Sequence, residues 1–140
     1  MPVTWATYAR VAMEDVEGAW ELHDGRLHTK GTGSWDHNDA VSELGFQLAG
    51  QLDRGTFSVR INGGRVRCSS QRFHLTCFVP DVLVVPHALT VPLRGRPNVL
   101  EVYDASVPLV VEVWDSPDRD DTDVKIDRYR RHGDLAAASV

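Results

Sequence analysis

Two stretches rich in β-branched residues, VPDVLVV ending at Val85 and VPLVVEVW ending at Trp114, constrain the fold of this chain more than any other feature. Runs of this length and composition read as central strands buried on both faces, so the chain needs a sheet with layers on either side. Each run carries an acid where one would ordinarily be expelled. Asp81 follows Pro80 at the start of DVLVV, and Glu112 sits inside LVVEVW. Burying an unpaired carboxylate is expensive, so a carboxylate in such a strand needs a partner, a metal or a route to solvent.

The remaining pattern supplies the layers. Thr4 is an N-cap for a short helix over WATYARVAM that ends near Asp15. Ala19 to His28 reads as a hairpin turning at Asp24-Gly25. From His37 onward Val41, Leu44, Leu48 and Leu52 recur at helical steps, with Gly55 as the stop. Phe57, Val59 and Ile61 then alternate with Ser58 and Arg60 as a half-buried strand, and Asn62-Gly63-Gly64 turns the chain back into Val66 to Cys68. Between the two apolar runs lies a loop with a short strand around Val99 to Tyr103. After Ser116-Pro117, Thr122 to Arg131 reads as a helix closed by Gly133. The order predicts one α/β or α+β domain over residues 1–140, built on a mixed sheet.

Composition excludes the extremes. With 42% hydrophobic and 25% charged residues the chain resembles soluble globular proteins, and no apolar run approaches a membrane span. The start lacks the layout of a secretory signal, which makes the cytoplasm the expected location. Cys68 and Cys77 are expected as buried, reduced thiols. There is no phosphate-cradling glycine loop, dinucleotide fingerprint or serine elbow, and the histidines and cysteines lack zinc-site spacing. The net charge of −5 runs against non-specific nucleic-acid binding. Arg60, Arg65, Arg67 and Arg72 form a middle stretch that could face phosphate, although a solvated sheet face is the commoner meaning. Lys30 and Lys125 are the only lysines.

Two carboxylates at corresponding ends of adjacent strands can hold Mg²⁺ at about 2.0–2.1 Å while leaving positions for water and a phosphate oxygen. Asp121, Lys125 and Tyr129 are spaced by four and share one helix face. If that face returns to the strand ends, the Lys125 ammonium can orient a water or offset charge on a phosphate. Each residue also has a plainer reading. Glu112 could pair with an arginine such as Arg67, Asp81 could start a strand or cap a turn, and Lys125 with Asp121 could be a surface ion pair.

The ordered set of motifs resembles the Uma-two family of restriction-endonuclease-like proteins. It comprises ELHDGRL from Glu21 to Leu27, His37 at a helix start, Pro80-Asp81, VVEVWDSP from Val110 to Pro117, and Asp121, Lys125 and Tyr129. The resemblance implies a PD-(D/E)XK nuclease fold, a mixed sheet flanked by helices. It also implies DNA as substrate, with Asp81 and Glu112 as ligands of Mg²⁺ or Mn²⁺ and Lys125 assisting the attacking water. Lys125 would replace the lysine usual two residues after the Glu, a position held here by Trp114. Glu21, His37 and Asp121 are expected in support. The family continues after this helix with another strand, so the chain is expected to be C-terminally shortened and to lack that strand. A catalytically inactive descendant and a homo-oligomer whose partner covers the exposed edge are the alternatives.

Overall fold

In the computed structural model, the described residues are 1–30, 33–68, 75–104, 107–114, 119–132 and 136–139, without the side chains of 119–122, 132 and 136–139. Helix α1 (Trp5–Glu14) is capped by Thr4, whose hydroxyl accepts the Thr7 N–H, and it buries Tyr8 and Ala12. Strands β1 (Trp20–His23) and β2 (Arg26–Thr29) follow as an antiparallel hairpin. Its turn uses Asp24 and Gly25 at φ of 50° and 80°, the pair of left-handed conformations that matches strand twist. Helix α2 (Trp35–Gln51) begins at Ser34, whose hydroxyl accepts the His37 N–H. His37 is therefore inside the first turn, and Leu52 rather than Gly55 is the C-cap.

The next strands are β3 (Phe57–Ile61), β4 (Arg65–Cys68), β5 (Thr76–Phe78) and β6 (Val82–Pro86). The short helix α3 (His87–Thr90) and a single 3₁₀ turn over Val91–Leu93 fall in a segment expected to be loop. Strands β7 (Val102–Tyr103) and β8 (Leu109–Glu112), helix α4 (Arg119–His132) and strand β9 (Ala136–Ser139) complete the order.

The strands form two sheets, β2-β1-β5-β4-β7 and β3-β6-β8-β9, each with parallel and antiparallel neighbours. As expected for the two apolar runs, β6 lies between β3 and β8, and β8 between β6 and β9. Alternation along them divides their side chains. Leu83, Val85 and Val110 join Val66, Phe78, Ile126 and Tyr129 in a core between the sheets, whereas Val82 and Val111 pack with Val41 of α2. On the outer face of the first sheet, Leu22 and Cys77 pack with Tyr8 and Ala12 of α1.

Two expectations need correction. Asn62-Gly63-Gly64 does not close a hairpin, because β3 pairs with β6 in one sheet while β4 pairs with β5 and β7 in the other. The segment is a crossing between sheets. Gly64 lies so close to the neighbouring elements that a Cβ there would stand 2.7 Å from Leu83 Cδ2 and 2.8 Å from Glu101 Oε2. A strand also follows the last helix after all. β9 pairs parallel with β8, Leu109 opposite Ala136 through Glu112 opposite Ser139. Its Ala-Ala-Ala-Ser sequence has poor intrinsic strand preference, so the available edge of β8 provides what the sequence does not advertise. Ser116, Pro117 and Gly133, read as helix boundary signals, lie outside the described residues.

Candidate active site

The antiparallel register that pairs Val82 with Val111 sets Asp81, one residue before, opposite Glu112, one residue after. Both acids fall on the strand face that carries Leu83, Val85 and Val110, so they point between the sheets. On β1, Leu22 faces α1, and its neighbour Glu21 therefore also points inward. Helix α4 enters from the same side with Lys125 and Tyr129 one turn apart. Glu21, Asp81, Glu112 and Lys125 are each 3% exposed or less, which makes them interior ions rather than surface decoration.

Lys125 Nζ lies 2.6 Å from Glu21 Oε2 and 2.8 Å from Glu112 Oε1. Glu21 Oε2 also accepts the Val79 N–H at 2.8 Å, and its Oε1 is 3.0 Å from His23 Nε2. The Tyr129 hydroxyl donates to Glu112 Oε1 at 2.9 Å. Asp81 Oδ2 accepts the Val113 N–H at 2.7 Å and stands 3.3 Å from His37 Nε2. A second ammonium completes the cluster. Lys30 Nζ sits 2.6 Å from Asp81 Oδ1 and 3.5 Å from Glu112 Oε2, and donates to the Val79 carbonyl at 2.5 Å.

The electrostatics follow from burial set against these partners. Burial alone would raise Glu21, but the Lys125 charge, the His23 contact and the Lys30 charge together lower it to about 2. Asp81 behaves alike. Burial opposes ionisation, and Lys30, the Val113 N–H and His37 outweigh it, so its pKa falls below the usual value. Glu112 ends on the other side. Burial, with Asp81 and Glu21 adding to it, exceeds the attraction of the two lysines, and its pKa is raised. Burial would lower Lys125, but Glu112 and Glu21 overcome it, and its pKa rises well above that of a free lysine. Lys125 is thus a permanent cation at neutral pH, a donor and a charge rather than a base.

Of the residues singled out from the sequence, Asp81, Glu112, Lys125, Glu21 and His37 converge here. Glu112 pairs with lysines. Arg67 instead lies over the Trp5 ring at 4.5 Å and 4.0 Å from Asp104. Arg60 is engaged by Glu101, and Arg65 is buried against the Tyr8 hydroxyl, so the arginine stretch does not form one phosphate-facing row among the described residues. Arg72 lies outside the described residues, as does the side chain of Asp121, whose backbone is in the first turn of α4. Trp114 is partly exposed just beyond the strand.

Lys30 is the residue that sequence reasoning missed. It follows β2 without a motif around it, and the available signal was scarcity: the chain has only two lysines, and both reach Glu112. Asp24, at the hairpin turn, takes a two-pronged contact from Arg128 of α4 at 2.9 and 2.6 Å, which fixes the helix that carries Lys125.

The sequence matches the model of the Uma2 family, described as "Putative restriction endonuclease", over residues 5–134. A solved structure described as "a putative nuclease belonging to DUF820", from Anabaena variabilis ATCC 29413, superposes with a TM-score of 0.62 at 17% identity. That likeness covers 98% of this chain and 69% of the other, and at such identity it is a likeness of fold. No curated protein matches the sequence. Among the described residues no helix is long and apolar enough to cross a membrane.

Proposed function

Because this chain belongs to the Uma2 family, with its restriction-endonuclease-like fold, we propose that it is a nuclease that hydrolyses DNA phosphodiester bonds with the help of a divalent cation, Mg²⁺ or Mn²⁺. The observation that carries this reading is the opposition of Asp81 and Glu112 across two central strands, with the Lys30 ammonium between them.

The donor set fits a hard metal ion. Asp81 Oδ1 is buried without a hydrogen bond, since the Lys30 ammonium approaches it off the hydrogen-bonding direction. Glu112 Oε2 and the Val79 carbonyl face the same ammonium, so oxygens already surround a positive charge. Among the described residues no three His, Cys, Asp or Glu side chains form a metal cage. Mg²⁺ commonly binds through one or two carboxylates and keeps waters for the rest. Asp81 and Glu112 would hold the ion, which when bound polarises a phosphoryl oxygen and makes water a better nucleophile.

The chain's own residues would do the remainder. Glu21 and Glu112 hold Lys125 charged and in one place, where it donates to the attacking water or offsets negative charge on the phosphate. The Val113 N–H and His37 orient Asp81, and Tyr129 orients Glu112. Cleavage of plasmid DNA that depends on Mg²⁺ or Mn²⁺ and disappears in Asp81→Ala and Glu112→Ala is the expected result. Equal cleavage by both variants and wild type would rule the assignment out.

A specific observation favours a second reading, an inactive descendant that keeps the fold. The Lys30 ammonium reaches both Asp81 and Glu112, as in a purely structural ion cluster. Calorimetry with Mn²⁺ separates the two, because a vestigial site gives no heat that depends on Glu112.

A further inference from the structure

Lys30 and Lys125 are not equivalent. Lys125 is held by two short ion pairs in a buried position, its side chain 4% exposed. Lys30 enters from the end of the β2 strand, its side chain is 17% exposed, and its contacts are uneven. The approach to Asp81 Oδ1 is close but leaves that oxygen without a hydrogen bond, and the contact to Glu112 is long. An ammonium donates along three fixed directions, whereas a metal ion takes oxygens from wherever they converge. Three oxygens, from Asp81, Glu112 and the Val79 carbonyl, converge on this point.

We propose that Lys30 is a built-in competitor for the divalent cation: its ammonium occupies the place between Asp81 and Glu112 in the metal-free protein, and must swing out before the ion can enter. This rests on the metal-dependent reading above and adds a control to it. Two cations at one point repel strongly in an enclosed site, so occupancy by one excludes the other. The lysine keeps the two buried acids from repelling each other when no metal is present. Its partial exposure leaves the side chain a path toward solvent. The consequence is a raised metal threshold, since each binding event must first break the Lys30 contacts.

Titration of Mn²⁺ by calorimetry into wild type, Lys30→Met and Lys30→Arg tests this. Lys30→Met is expected to bind about tenfold tighter or more, with Lys30→Arg, which keeps the charge, near wild type. Equal or weaker binding by Lys30→Met than by wild type, or equal tightening in Lys30→Arg, overturns the competitor role while leaving the metal site standing. No heat in any of the three overturns the metal reading and the competitor with it. Thermal unfolding gives a second readout: Lys30→Met should melt below wild type without Mn²⁺ and gain more from adding it. A gain no larger than that of wild type counts against the proposal. Should Lys30→Met not fold, Lys30→Gln, whose amide can still donate to the Val79 carbonyl, serves in the same comparison.

Discussion

Glu21 and Lys125, 104 residues apart in the chain, meet at 2.6 Å in the space between the two sheets. That contact joins the N-terminal hairpin to the last helix, and Glu112 on the other side of the ammonium joins both to the central strands. The polar cluster is thus also a structural joint.

Acid should loosen this joint through Glu21. Its pKa is lowered from 4.5 to about 2, so its stabilisation is complete above pH 4.5 and is lost as pH falls from there toward 2. The shift corresponds to roughly 3 kcal/mol. Glu112 works in the opposite sense, because its raised pKa means that protonation relieves an unfavourable charge as pH falls. In urea unfolding across this range, wild type should exceed Glu21→Gln in stability at neutral pH, with the gap closing as pH falls toward 2. A gap independent of pH would show that Glu21 is not the group concerned.

Removing the central ammonium should cost more than removing any surface charge. Lys125→Met leaves Glu21 and Glu112 buried beside each other, a loss of about 3–5 kcal/mol. Adding Glu21→Gln to that variant should restore part of the loss, with a coupling of about 0.5–3 kcal/mol. Strictly additive denaturation energies would contradict the pairing. At the alkaline end, the raised pKa of Lys125 means that its stabilisation is full below pH 10.5 and is lost as pH rises through the higher folded value.

Tyr129→Phe tests the hydroxyl that supports Glu112. The ring can keep its edge contact with Phe78, at 5.2 Å between centroids, while the donor to Glu112 Oε1 is lost. A decrease of about 1–3 kcal/mol by thermal unfolding is expected. A variant as stable as wild type would mean that this hydrogen bond contributes nothing net.

Gly64→Ala probes the crossing between sheets. The added methyl would press on Leu83 and Glu101, so a loss of about 1–3 kcal/mol is expected. An unchanged denaturation midpoint would argue against the close approach at this position.

Local features of the sequence were sufficient for most of the elements, though not for β5, α3, the 3₁₀ turn or β9. The Asp24-Gly25 pair specifies the hairpin because few other residues accept two consecutive left-handed conformations. The β-branched runs specify β6 and β8, and the helical spacing of Val41, Leu44 and Leu48 specifies the face that α2 turns to β6 and β8. Even the oddity of Asp81 and Glu112 was visible, since charge inside an apolar strand is costly wherever the strand goes.

What only the tertiary structure decided is who meets whom. Pairing partners are chosen by long-range hydrogen bonds and shared burial, which leave no local trace. For this reason β3 joins β6 instead of β4, and four small residues become β9 beside β8. Lys30 acquires its place the same way: nothing near it in sequence marks it, and only the register that sets Asp81 against Glu112 creates the oxygen-lined point its ammonium reaches.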